Sequence, residues 1–295
     1  MPVSAPTTPD LPRLSPRARD TSKRDYGRVI VIGGAAGMAG APALTGMAAL
    51  RGGAGLVEVI VPQSVAPITA SFDPCLMVTG LPCDEEGRFS EAAAPRMLQR
   101  LEAATAIAVG PGIGRSGAVT TVVRGLWRDL PQPAVFDADA LWALAQLDGA
   151  DLSSHAGVRI LTPHAGEMLR LVHDDPASLR SRDRDFLEVK AAEMAHAIDA
   201  VVVLKGPATL VVDHRRRARN ETGNPGMATG GTGDVLTGLI AALLAQGLGP
   251  FEAARLGAWI HGRAGDIAAA DRGEISMTAR DLLECLPAAF RAVVD

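Results

Sequence analysis

Short, wholly apolar runs alternate with longer stretches of mixed polarity along this chain. Residues 28–33 read Arg-Val-Ile-Val-Ile-Gly, apolar at consecutive positions rather than at every second one. A run of that kind buries both faces of a strand, as a parallel sheet covered by helices requires. The signal recurs at 56–61, 75–79, 106–110, 134–136, 158–161, 200–204 and 210–212. The segments between predict helices over 42–52, 91–102, 116–129, 140–147 and 185–198. A buried helix is predicted from Leu239 to Leu244, and Ala- and Leu-rich helices over 250–271 and 278–294. Strands alternating with helices from 28 to 250 predict an α/β fold with a mainly parallel central sheet. Residues 83–90 and 174–184 read as polar loops, and His214-Arg-Arg-Arg217 as an exposed hairpin tip. Residues 1–26 carry five prolines and no periodicity, the signature of a disordered or surface-draped tail. No linker or repeat interrupts residues 27–295, which are expected to form one domain.

Composition narrows the picture. Hydrophobic residues make up 47% of the 295 and aromatic residues only 3%, so the core is built from Ala, Val, Leu and Ile. A net charge of −4 gives no footprint for nucleic acid. The three cysteines are odd in number and form no C-x-x-C pair, so neither a disulfide framework nor a zinc site is expected. No apolar run reaches the length of a membrane span, and the first residues lack a secretory core, so a cytoplasmic location is expected. Only Lys23, Lys190 and Lys205 are lysines, against 26 arginines. Lys205, at a strand end, therefore stands out.

Candidate chemistry gathers where strands end in glycine. The turn over 33–41 follows the first strand, yet no G-x-G-x-x-G can be laid on it, and no Walker A motif exists. Gly110-Pro-Gly-Ile-Gly114 follows the strand over 106–110, and Lys205-Gly-Pro-Ala-Thr209 follows another. Loops at the carboxyl ends of an open α/β sheet are where such sheets bind ligands. Asp137 and Asp139 lie at a strand end. Two carboxylates there suit a hydroxyl, a metal ion or a water, and Asp139 reads as the cap of the helix over 140–147. His164 follows Pro163 at the next strand end and is expected to project into the same cleft. Glu167, three residues on, reads equally as a capping residue. The other histidines have no comparable context and are read as structural or solvated.

The densest signal is Asn224-Pro-Gly-Met-Ala-Thr-Gly-Gly-Thr-Gly-Asp234, running into an apolar helix. Its glycines at 230, 231 and 233 let backbone N–H groups converge on an anion. The helix start adds free donors and a partial positive charge. Asp234 then stands as a carboxylate beside an anion cradle, although Thr232 or Asp234 could serve only as a helix cap.

Gly231-Thr-Gly-Asp234 resembles the anion-hole and base motif of the ribokinase-like superfamily. The longer string from Thr222 to Asp234 resembles the ADP/ATP-dependent NAD(P)H-hydrate dehydratases, as do G-P-G-I-G, P-H-x-x-E and K-G-x-x-T. The resemblance covers residues 26–293. It implies a ribokinase-like three-layer fold with helices on both sheet faces and no lid domain. It implies Asp234 as base, with Gly231, Thr232 and Gly233 as anion hole. Gly40, Ala41, Gly112, Gly114, Asp137, His164 and Asp234 are expected on the substrate. Lys205, Gly206, Pro207, Ala208, Thr209, Asn224 and Gly233 are expected on the nucleotide.

The implied reaction is repair of the S form of hydrated NADH or NADPH with ADP, ATP being the other candidate, giving AMP and phosphate. Mg²⁺ is expected as a phosphate counter-ion, although the sequence shows no metal site. Family members often carry an epimerase domain ahead of this one. Here only the tail precedes residue 28, so a separate epimerase is expected. A homo-oligomer, by resemblance a homotetramer, is expected too. The alternative is a vitamin-precursor kinase of the same superfamily, which would share G-T-G-D without the longer string. A non-catalytic nucleotide sensor would lack the aspartate that is present here.

Overall fold

The computed structural model describes residues 10–175 and 183–294. Among them, nine strands form one sheet in the order β3-β2-β1-β4-β5-β6-β7-β8-β9. The parallel part comprises β1 (Arg28–Ile32), β2 (Leu56–Pro62), β3 (Met77–Leu81), β4 (Ala106–Val109), β5 (Ala134–Phe136), β6 (Arg159–Leu161) and β7 (Val201–Leu204). An antiparallel end is added by β8 (Leu210–Val212) and β9 (Arg217–Arg219). The strand order reverses direction at β1, whose neighbours are β2 on one side and β4 on the other. That switch opens a crevice above the carboxyl ends of the central strands.

Alternation along each strand builds two cores, one on each face. Val29 and Val31 face one layer and Ile30 and Ile32 the other, all fully buried. The first layer contains α1 (Gly40–Arg51), α9 (Thr232–Ala245), α10 (Pro250–Arg272) and α11 (Ala279–Val294). The second contains α3 (Ala94–Leu101), α4 (Gly117–Asp129), α5 (Asp139–Leu144), α7 (Ala165–Leu171) and α8 (Arg184–Ala197). Two short helices, α2 (Ala66–Ala70) and α6 (Gly149–Ser153), complete the set. Each buried Val, Leu or Ile contributes roughly 1.5–3 kcal/mol, so the two apolar layers supply most of the driving force.

The helix α9 is the centre of the first layer. From Val235 to Ala245 every residue is buried, as its all-round apolar sequence requires. It runs so close to α1 that a Cβ on Gly238 would lie 1.9 Å from the Thr45 carbonyl oxygen. Glycine there lets α9 lie directly against α1.

Several expectations shift. The third strand runs Met77–Leu81 rather than 75–79. The helix after β5 stops at Leu144, not 147. Helices α2 and α6 and strand β9 were not predicted, and α7 was anticipated only through the capping reading of Glu167. The basic run at 214–217 is an exposed turn, as expected, but Arg217 already belongs to β9. Asp213 orders the turn by accepting from the Arg215 and Arg216 amides. The expected tail lies partly outside the described residues, at 1–9. Its described part is draped on the body: Leu11 and Leu14 pack on the first core, and Arg17 donates to the Gly53 carbonyl. The expected loop over 174–184 falls largely on 176–182, outside the described residues. Asp183 is already the N-cap of α8.

Candidate active site

The first turn of α9 carries the strongest candidates. Gly231 is its N-cap at φ 92°, a left-handed conformation that glycine alone adopts without strain, and no side chain caps the helix. The reading of Thr232 or Asp234 as a simple cap is therefore replaced. The Thr232 hydroxyl instead points back and donates to the Met227 and Thr229 carbonyls, tying the loop in place. With no capping side chain, the N–H groups of the first turn have no carbonyl behind them to bond. They face outward as donors, with the positive end of the helix behind them.

Asp234 stands on that turn. Burial, then the neighbouring Asp137 carboxylate, pushes its pKa up to about 7, although Lys205 pulls the other way. Lys205 Nζ donates to Asp137 Oδ1 at 2.7 Å and lies 3.7 Å from Glu167 Oε2. Burial works against the ammonium charge, but the Asp137 and Glu167 carboxylates outweigh it and raise the lysine pKa. Asp137 is almost wholly buried and accepts from the Thr237 hydroxyl at 2.7 Å through its other oxygen. Gly233 closes the cluster: a Cβ there would lie 3.3 Å from Lys205 Nζ and 3.7 Å from Asp137 Oδ2. Residues from three strand ends and α9 thus meet at one point.

His164 caps α7. Its Nδ1 accepts from the Gly166 and Glu167 amides, and Glu167 returns the bond to the His164 amide at 2.8 Å. The capping reading of Glu167 holds, and the same carboxylate also approaches Lys205. With its lone pair committed at Nδ1, neutral His164 carries its proton on Nε2. Partial desolvation of this otherwise exposed ring, then Lys205, holds its pKa down, which favours that neutral form.

Asp139 differs from expectation. Ala138, at φ 52°, takes the N-cap position of α5 and makes no side-chain bond. Asp139 instead accepts from the Gly114 amide at 3.2 Å and pairs with Arg115 at 2.7 Å, fixing the loop over 110–114. That loop meets the start of α1. A Cβ on Gly112 would lie 3.1 Å from that of Ala41, one residue beyond Gly40.

On the other side of Gly233 a cavity of about 570 Å³ opens. Lys205, Gly206, Pro207, Ala208, Thr209, Asn224 and Gly233, the whole expected nucleotide set, line it. Asn224 is held within the protein. Its Oδ1 accepts from the Gly226 amide, and its Nδ2 donates to Asp266, which also accepts from Gly223. Arg184 fixes the opposite rim by donating to the Leu204, Lys205 and Ala208 carbonyls. Asp266, Arg184 and His261, which lies in the cavity wall, were not singled out from sequence. Each meets its partner across more than 15 residues of chain, beyond the reach of any local motif.

Comparisons with known proteins bear on the family and the fold. A family model described as NAD(P)H-hydrate dehydratase matches residues 29–288. The bifunctional NAD(P)H-hydrate repair enzyme Nnr of Moorella thermoacetica is 45% identical over 282 residues, covering 95% of this chain and 52% of that protein. The chain thus spans about half the length of the curated relatives it matches. A Bacillus subtilis ADP/ATP-dependent NAD(P)H-hydrate dehydratase, crystallised with ATP and Mg²⁺, is 26% identical with a TM-score of 0.76, covering 95% of this chain and 94% of that one. A ribokinase-like superfamily protein from Enterococcus faecalis is likewise 26% identical, with a TM-score of 0.78 over 95% of this chain and 92% of its own.

Proposed function

We propose, because the chain belongs to the NAD(P)H-hydrate dehydratase family, that it returns the S form of hydrated NADH or NADPH to the reduced coenzyme at the expense of ADP. The observation that carries the proposal is Asp234: a carboxylate with a pKa near neutrality, on a helix start that borders a nucleotide-sized cavity. A base works best with a pKa near the operating pH.

In this reading Lys205 to Thr209 and the first turn of α9 hold the phosphates. Gly40, Ala41, Gly112, Gly114 and His164 hold the hydrated nicotinamide. Asp234 takes the proton of the ring hydroxyl, and that oxygen attacks the terminal phosphorus of ADP. The bond to AMP breaks, with the N–H groups of Gly231 to Gly233 stabilising the charge on the transferring phosphoryl group. The ring C–O bond then breaks, phosphate leaves with the electron pair, and loss of a proton from the neighbouring carbon restores the double bond. Mg²⁺ bound with the nucleotide would neutralise phosphate charge. No group of three or more His, Cys, Asp or Glu side chains among the described residues could hold an ion alone, so nucleotide oxygens would supply most of its ligands. ADP is preferred over ATP on family pattern alone. Epimerisation of the R form by another catalytic unit, and self-association of this chain, belong to the same proposal.

Near-ultraviolet absorbance tests it. Mixing the protein with hydrated NADH, Mg²⁺ and either ADP or ATP should regain the dihydronicotinamide band, with one phosphate released per molecule. No regain with either nucleotide, alongside phosphorylation of a vitamin alcohol, would move the protein to the kinase reading.

A second expectation concerns pH. Catalysis needs ionised Asp234, so kcat/KM should rise as pH increases through about 7. After burial, the Asp137 charge is the largest cause of that high value. Asp137→Asn removes it, which favours the ionised form of Asp234, so the acid limb should move to lower pH. A limb that stays put or moves up would show that Asp137 does not tune the base.

A further inference from the structure

His261 lies in α10, in the cavity wall beside Thr232, Leu236, Ala258 and Gly262, and is only 9% exposed. Its Nε2 is 2.8 Å from the Thr232 carbonyl oxygen. A carbonyl can only accept, so Nε2 carries the hydrogen and donates. Burial holds the ring pKa down to about 4, so the imidazole is neutral at pH 7. A neutral ring protonated at Nε2 keeps a bare lone pair on Nδ1. No protein donor among the described residues meets that atom. Arg28 Nε and Gln132 Oε1 are the unpartnered side-chain atoms sealed from solvent among those residues, and Nδ1 is not one of them. The lone pair therefore opens onto the cavity.

The cavity has two chemically distinct regions. Lys205 and the first-turn N–H groups of α9 offer positive charge and donors, the complement of phosphate. Leu236, Ala258 and Met227 give an apolar wall suited to a sugar or base. A fixed acceptor repels phosphate oxygens and asks for a donor. The donors on an adenine nucleotide are the ribose hydroxyls and the exocyclic amino group.

We propose that His261 Nδ1 accepts a hydrogen bond from the nucleoside half of the bound nucleotide and so helps select it. The carbonyl of Thr232 sets this acceptor by fixing the tautomer. The turn that meets the phosphates thereby also orients the reader of the nucleoside. The inference rests on the proposed use of a nucleotide.

Two variants separate the ring's two bonds. His261→Gln can place an amide N–H where Nε2 donates and leaves the Nδ1 position empty. His261→Asn places an amide oxygen near Nδ1 and gives up the Thr232 bond. Nucleotide binding is measured by calorimetry without the hydrated coenzyme. One lost hydrogen bond lowers affinity about three- to tenfold, so His261→Gln should bind ADP that much more weakly, and His261→Asn should bind it more tightly than His261→Gln does. On the unaltered protein, 2′-deoxy-ADP, 3′-deoxy-ADP and purine riboside diphosphate, which lacks the amino group, each remove one candidate donor. The analogue lacking the true partner should lose affinity with the unaltered protein and lose nothing further with His261→Gln.

If the unaltered protein binds all three analogues as tightly as ADP, the inference is overturned. It is overturned equally if His261→Gln binds ADP within twofold of the unaltered protein. Either result leaves the dehydratase reading standing, because ADP is still bound. Failure of the unaltered protein to bind any adenine nucleotide overturns both.

Discussion

Asp234→Asn should bind ADP within about threefold of the unaltered protein and lose turnover by roughly a hundred- to ten-thousandfold, the range attributed to a positioned general base. The substitution is nearly isosteric and leaves Gly231 to Gly233, with their N–H groups, untouched. The nucleotide cavity is lined by Thr232 and Gly233 rather than by Asp234, so its walls are unchanged. What disappears is the acceptor for the hydroxyl proton. Absorbance regain reads the turnover, and calorimetry with ADP reads the binding. Near-normal turnover would remove Asp234 from the base role and shift attention to Asp137, the carboxylate that most raises its pKa.

The same variant has a stability consequence of opposite sign. The Asp234 pKa is raised from 3.8 to about 7 in the folded chain, chiefly by burial. A carboxyl group with a raised folded pKa costs nothing below its unfolded pKa. Its penalty grows between the two values and is complete above about pH 7. Three pKa units correspond to at most about 4 kcal/mol. Asp234→Asn should therefore melt above the unaltered protein at pH 8, and the advantage should vanish near pH 4. Loss of activity with gain of stability is the expected mark of a functional carboxylate held in an unfavourable place.

Sequence carried the architecture where burial left a two-sided trace. β7 throughout, and β1 at every position after Arg28, are apolar because helices cover both faces, and that reads directly. β9 is Arg-Ala-Arg on the sheet edge, partly solvated, and nothing in those three residues distinguishes a strand from the turn before it. α2 and α6 are five residues long, too short to show a helical period. The site divides in the same way. Asp137, His164 and Lys205 were each legible as polar residues at strand ends. That they share one cleft was expected too, but the contacts between them were not, because those depend on β5, β6 and β7 lying side by side. Asp139 was misread for a backbone reason. Capping α5 would need its preceding turn to be extended, whereas Ala138 sits at a positive φ and carries Asp139 into the helix. His261 escaped notice because its partner is a carbonyl 29 residues earlier.

Arg159→Met should cost about 3–5 kcal/mol and lower the melting temperature by roughly 5–8 °C, while leaving turnover per folded molecule unchanged. Arg159 begins β6, at the end of the sheet away from the site, and is only 1% exposed. Its guanidinium has carbonyl partners: Trp127 and Leu130 oxygens at 2.6–3.0 Å, with Gln132 and Val158 at 3.2 and 3.0 Å. Trp127 is in the last turn of α4, where carbonyls have no helical partner. One fork of N–H groups thus closes the end of α4 and its turn into β5. Burial lowers the guanidinium pKa only to about 10, so the group stays charged at pH 7 and its desolvation cost is already present in the folded chain. Two effects compete in the variant. Removing the charge relieves that cost, which in some proteins makes an apolar replacement neutral or stabilising. It also strands several carbonyls in a dry site, at roughly 1–3 kcal/mol each. Replacing a buried charge is harmless when its partners leave with it; here the partners are backbone and cannot leave, so the stranding should win. Calorimetric melting decides the matter. A variant as stable as the unaltered chain would mean that relief of the buried charge, or water reaching the end of α4, offsets the stranded carbonyls.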